Sequence, residues 1–263
     1  GRASLDWEMV EEDFLDRRRS DGEALAACDA AIALDPLHGE AWNSRGSILT
    51  RLLRNREALD SFDQAIAHAR ERSRIDGVAL DPRGTDPRVN KALTLLLMGE
   101  YEAGWPQYES RLAMPGRSSR VFSVPALRPG DDMRGKTILL HAEQGLGDTL
   151  MLCRYVPLAV DRGARVLLEV QPELRPLLQG LNGVAQVVES GSPLPEFDLH
   201  SPLFSLPFVF GTRVDTIPAS VPYVTASDER IRGWSERLGK ATRPRIGRRQ
   251  GMSREGPPRA SCG

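Results

Sequence analysis

Apolar residues in the first hundred positions recur at helical spacing, and the pattern itself repeats. Glu23-Ala24-Leu25 returns as Glu57-Ala58-Leu59, and Asp29, Ala31 and Ile32 return as Asp63, Ala65 and Ile66, all at an offset of 34 residues. A period of that length is one helix–turn–helix unit of a stacked array. Around the second copy, Ala41, Trp42, Gly46 and Leu49 precede Ala58, Phe62 and Ala65. Small residues at such places let two helices cross closely. Asp35-Pro36 is expected to close the first helix pair, because proline disfavours helix in the residue before it. A third unit, residues 90–109, follows Asp81-Pro82, which lies 46 residues after Asp35-Pro36 against a period of 34; 12 residues are therefore inserted near Ala69–Gly77. The insert is charged and reads as a lengthened helix or a surface loop.

The grammar changes after residue 112. Residues 113–135 are rich in Pro, Gly, Ser and Arg and read as a linker. Thr137–His141 is a short apolar, β-branched run, as a buried parallel strand requires. Gly145-Leu146-Gly147-Asp148 opens a helix expected to run to about Arg162, which Gly163 closes. Ala164–Val170 is the second strand, Pro172 opens another helix at its first turn, and Ala185–Glu189 and Phe197–His200 supply two more strands. Alternating strand and helix predict a parallel, Rossmann-like sheet.

A formal net charge of −1 removes bulk electrostatic recruitment of nucleic acid or an anionic membrane. No apolar run reaches bilayer length, so no membrane span is expected. Three widely separated cysteines, Cys28, Cys153 and Cys262, suggest neither a disulfide framework nor a metal site. A reducing cytoplasm fits that usage.

The glycine loop is the one candidate site. Its third glycine position is Leu150, and no Lys-Ser/Thr follows, so it matches neither a dinucleotide fingerprint nor a Walker loop. Asp148 stands where an anion-binding helix end would present bare N–H groups. The loop therefore reads as built to place a carboxylate, either as a helix cap or as a general base at the carboxyl end of a strand. His141 and His200 end strands and either line a cleft or pack in the core. Gly145 and Gly147 are expected to serve the backbone turn. Cys153 reads as a small buried residue.

Several segments carry a resemblance. The helical units resemble tetratricopeptide (TPR) repeats. Leu139-Leu-His-Ala-Glu-Gln-Gly-Leu-Gly-Asp-Thr-Leu150 with Arg154-Tyr155, the upstream Gly104-Trp105-x-x-Tyr108-Glu109-x-Arg111 and the downstream Phe197–Leu203 resemble bacterial TPR-containing glycosyltransferases, similar to the heptosyltransferase-like family nine. The resemblance runs from about residue 20 to residue 246. It implies helical repeats over 1–112, then an α/β unit over 136–246 that is the N-terminal, acceptor-side Rossmann-like half of a metal-independent GT-B enzyme. It gives Asp148 the base's role, with Gln144, Gly145, Gly147, Thr149 and His141 as the substrate-binding set. It implies no bound cofactor beyond a nucleotide-sugar donor in a complete member, and a protein or peptide acceptor docked on the repeats. Asn43, Ser47 and Thr50 share one side of a helix and are expected to line that peptide groove.

Beyond Ile246 the sequence departs from the family. Residues 247–263 hold four Arg and four Gly and no strand-forming run. They read as an aberrant, disordered tail standing where the donor-binding domain is expected, so this chain alone is expected to lack turnover. A non-enzymatic repeat module that binds a protein partner is the alternative.

Overall fold

A computed structural model describes residues 7–76, 86–114 and 120–239, the side chains of 7–18 and 70–76 excepted. Five helices come first: α1 (Trp7–Leu34), α2 (Gly39–Arg51), α3 (Asn55–Asp76), α4 (Pro87–Leu97) and α5 (Tyr101–Tyr108). The expected helix pair before Asp35-Pro36 is one uninterrupted helix of 28 residues. The charged insert continues as helix, which lengthens α3 to 22 residues. The third unit starts from Asp86-Pro87. The Asp86 carboxylate accepts the Arg88 N–H at 2.8 Å, and Pro87 takes the first helical position, where its missing N–H is harmless. Asp81-Pro82 lies outside the described residues.

The small residues sit at the helix crossings. A Cβ added to Gly46 would lie 2.6 Å from the Phe62 ring, and one added to Gly104 would lie 2.7 Å from Leu96. Leu49, Ala58 and Phe62 are buried together between α2 and α3. Each hairpin turns on a left-handed residue just after its first helix, Leu53 (φ 62°) in one and Gly99 (φ 83°) in the other. Glycine holds such a place without strain; Leu53 takes it with its side chain largely exposed.

The second part alternates strand and helix: β1 (Thr137–His141), α6 (Leu146–Leu152), α7 (Val156–Asp161), β2 (Arg165–Val170), α8 (Arg175–Leu178), β3 (Val184–Glu189), β4 (Leu199–Pro202), α9 (Leu206–Val209) and α10 (Asp228–Leu238). The helix expected from the glycine loop to Arg162 is broken at Cys153–Tyr155, a short 3-10 turn between α6 and α7, with Pro157 in the first turn of α7. The strands pair in parallel in the order β3-β2-β1-β4. One face of the sheet presents Ile138, Leu140, Val166, Leu168 and Val170 to Leu152, Val156, Ala159 and Leu178. The stretch read as a linker belongs to this packing: Leu127 and Met133 are buried in the same core, and Ala126 bridges to His200. The expected disordered tail lies outside the described residues. Among those described, no helix is long and apolar enough to cross a membrane.

Gly46→Val should test the close crossing. The buried Phe62 ring cannot swing clear, so overpacking of about 1–3 kcal/mol is expected, read as a lower urea midpoint. An unchanged midpoint would contradict the packing.

Candidate functional site

The chain runs β1, β2, β3 towards one edge and then returns to place β4 on the other side of β1. In open parallel sheets such a reversal leaves a crevice at the carboxyl ends of the two diverging strands, the usual ligand position. Here it lies between the ends of β1 and β4, where residues 142–145 lead into α6.

The helical region reaches into this crevice. Arg111, from the 3-10 turn after α5, has a side chain with no solvent exposure. It donates to Glu143 Oε1 at 2.7 Å, Glu109 Oε1 at 2.6 Å and Ser205 Oγ at 2.9 Å. Glu143 also accepts the Phe204 N–H at 3.2 Å, just beyond β4. A planar guanidinium with five donors in a fixed fork suits acceptors converging from separate directions better than a compact ammonium does. Its ring-facing side lies 4.8 Å from the Tyr108 centroid.

Asp148 sits in the first turn of α6 rather than at its cap. Gly145 is the N-cap residue, and Asp148 Oδ2 accepts the Gly145 N–H at 2.9 Å. The residue itself is half-buried. A Cβ on Gly145 would come 3.2 Å from that same oxygen, a tight contact that would push the carboxylate away by a few tenths of an ångström. Its φ of −69° is open to any residue. Gly147 meets nothing within 4 Å and has no positive φ, which removes the expected backbone requirement at that position.

The remaining residues of the expected substrate-binding set have internal partners. Gln144 donates to the Tyr108 hydroxyl at 3.1 Å, and its carbonyl accepts from Gln171 at 2.7 Å. Thr149 is buried, and its hydroxyl donates to Gln171 Oε1 at 3.0 Å. His141 lies away from the loop. It projects from the face of β1 opposite Ile138 and Leu140, packed against Phe122 at 5.4 Å and His200 at 5.6 Å between ring centroids. Burial first, then His200 and Arg120, push its imidazole down to about 3. Beside it, buried Glu169 pairs with Arg120. Burial also pushes the Cys153 thiol up to about 11, and its Sγ lies 3.1 Å from the Leu150 carbonyl, which leaves no nucleophile there. Among the described residues no cluster of His, Cys, Asp and Glu could hold a metal ion.

The expected peptide groove is corrected. Asn43 is only 8% exposed, and its Oδ1 accepts from Asn90 at 3.0 Å. The Thr50 hydroxyl shares a 2.9 Å bond with that of Thr94. Ser47 returns its hydroxyl to the Asn43 carbonyl. Asn43 and Thr50 thus lie on the seam against α4, because a helix laid alongside turns their polar side chains into interhelical contacts. Arg111, Glu143 and Gln171 were missed as site residues. The segment Tyr108-Glu109-x-Arg111 signalled the first; nothing in the local sequence marks Gln171.

Fold and site together define a small parallel α/β unit with helical hairpins anchored in its switch-point crevice. No protein-family model matches the chain. It is similar to Protein FlbA of Caulobacter vibrioides, at 26% identity over 188 residues, covering 60% of this chain and 32% of FlbA. The chain therefore spans about a third of that relative's length. Among solved structures it is similar to a mutant O-GlcNAc transferase of Thermobaculum terrenum, at 16% identity and a TM-score of 0.29, over 74% of this chain and 43% of that one.

Two outcomes follow from the buried groups. Arg111→Met should lower stability by about 3–5 kcal/mol, since Glu143 and Glu109 would be left without their cation; chemical denaturation measures this. For His141, the unfolded imidazole takes up a proton below about 6.5 and the folded one only near 3. Stability should fall as pH drops through that window, and His141→Leu should flatten the dependence in urea midpoints taken from pH 7 to 4.

Proposed function

We propose that this chain is the acceptor-side portion of a GT-B glycosyltransferase related to family nine, with a TPR array that docks a protein acceptor and Asp148 as general base. The position of Asp148 carries the reading: a carboxylate held one turn beyond the end of β1, beside the β1–β4 switch point, with one oxygen fixed on Gly145. A sugar or serine hydroxyl is a weak nucleophile, and a carboxylate within about 3 Å can take its proton as the new bond forms. The acceptor oxygen then bonds to the anomeric carbon while that carbon's bond to the leaving phosphate breaks. The leaving nucleotide would be held by a second nucleotide-binding domain, as in the family resembled. With Asn43 and Thr50 engaged between helices, acceptor docking falls to other faces of the hairpins, such as the exposed Leu93 and Leu97 of α4.

One observation favours a second reading, a non-enzymatic interaction module: Arg111 and Glu143, at the crevice, are already engaged with each other. Asp148→Asn, made in an enzyme carrying both halves, separates the two. Turnover should fall by about 10² to 10⁴. Stability should change by only about 0.3–1 kcal/mol, the value of a charge at a helix start, because the amide oxygen still accepts from Gly145. Near-normal turnover in the folded variant assigns Asp148 to the helix turn alone.

A further inference from the structure

The segment Trp105-x-x-Tyr108-Glu109-x-Arg111 lies outside the α/β unit, yet its side chains meet the loop that leads to Asp148. We propose that Tyr108 and Arg111 are positioning residues for that loop, so that the helical region sets the direction of the Asp148 carboxylate. The functional meaning rests on the reading of Asp148 as a base; the positioning itself does not.

The argument turns on one peptide unit, that between Gln144 and Gly145. It is planar, so its carbonyl and its N–H turn together. The carbonyl accepts from Gln171 Nε2 at 2.7 Å, and the N–H points at Asp148 Oδ2 at 2.9 Å. Rotating the plane breaks both bonds. Three anchors oppose rotation. Gln171 is itself fixed by Thr149, the residue after Asp148, through a 3.0 Å bond. The Gln144 side chain is tied to the Tyr108 hydroxyl at 3.1 Å. Glu143, one residue earlier, is clamped by Arg111 at 2.7 Å.

The helical side of these bonds is itself held firmly. The Tyr108 ring meets Trp105 edge-on at 6.3 Å and Phe204 at 5.8 Å, with Arg111 stacked on it at 4.8 Å. A hydroxyl held this way is a fixed point, and the loop is oriented against it. A partner that shifts the turn after α5 would move Tyr108 and Arg111 together, and with them the peptide plane and the carboxylate it orients.

Tyr108→Phe in the whole chain tests this, since it keeps every ring contact and removes only the hydroxyl. In amide NMR spectra, the Gly145 proton should move upfield and exchange about three- to tenfold faster, the effect of one lost hydrogen bond. The unfolding midpoint should fall by no more than the loss of that one bond accounts for. Gln171→Met removes another anchor of the same plane and should act in the same direction; it also serves if the first variant fails to fold. A Gly145 amide that keeps its shift and exchange rate in the folded variants overturns the proposal. The readout needs neither donor nor acceptor. A displaced Gly145 amide combined with an Asp148→Asn enzyme of normal turnover would therefore keep the positioning role and discard the base.

Discussion

A buried guanidinium joins the two parts of this chain. Taking Arg111 out of water carries a desolvation penalty that is offset only where carboxylates and further acceptors converge on it. Glu143, Glu109 and Ser205 do so, and they come from the start of the glycine loop, the end of the helical region and the turn after β4. Each of those segments is therefore held where the other two require it. The crevice at the switch point is shaped by this demand as much as by the divergence of β1 and β4.

The helical seam shows the same economy of polar groups. Asn43 with Asn90 and Thr50 with Thr94 bridge α2 and α4 through side chains that could have faced a ligand. A buried amide or hydroxyl without a partner is expensive, so pairing across the seam also fixes the register of one hairpin against the next.

The sheet was legible because buried parallel strands write their burial locally. Thr137–His141 is strand from end to end, and β2 to β4 fall within two residues of their apolar runs. Gly163 and Pro172 were readable for the same reason, since a backbone constraint belongs to one residue. The site was harder. Asp148 could be placed at the start of α6, though as a cap or base rather than within its first turn, but the partners of Thr149, Gln144 and His141 come from Gln171 just after β2, the helical region and residue 122. Nothing in the local pattern around those three residues names such neighbours. The peptide groove failed likewise: periodicity shows which residues of α2 share a side, and the placement of α4 decides what that side meets.

The separation of the joined residues along the chain has a consequence for how the molecule assembles. Arg111 and Ser205 are 94 positions apart, and the bond from Thr137 to Asp198 that pins β1 beside β4 spans 61. The hairpins, by contrast, close over short loops. Loop-closure entropy must be overcome before distant contacts contribute anything, and chains rich in long-range contacts fold more slowly than those built from local ones. The guanidinium joint therefore belongs late in folding, after the hairpins have formed and β4 has returned to the sheet. Until then Arg111 remains hydrated, and the two parts of the chain are free to reorient about the segment between them.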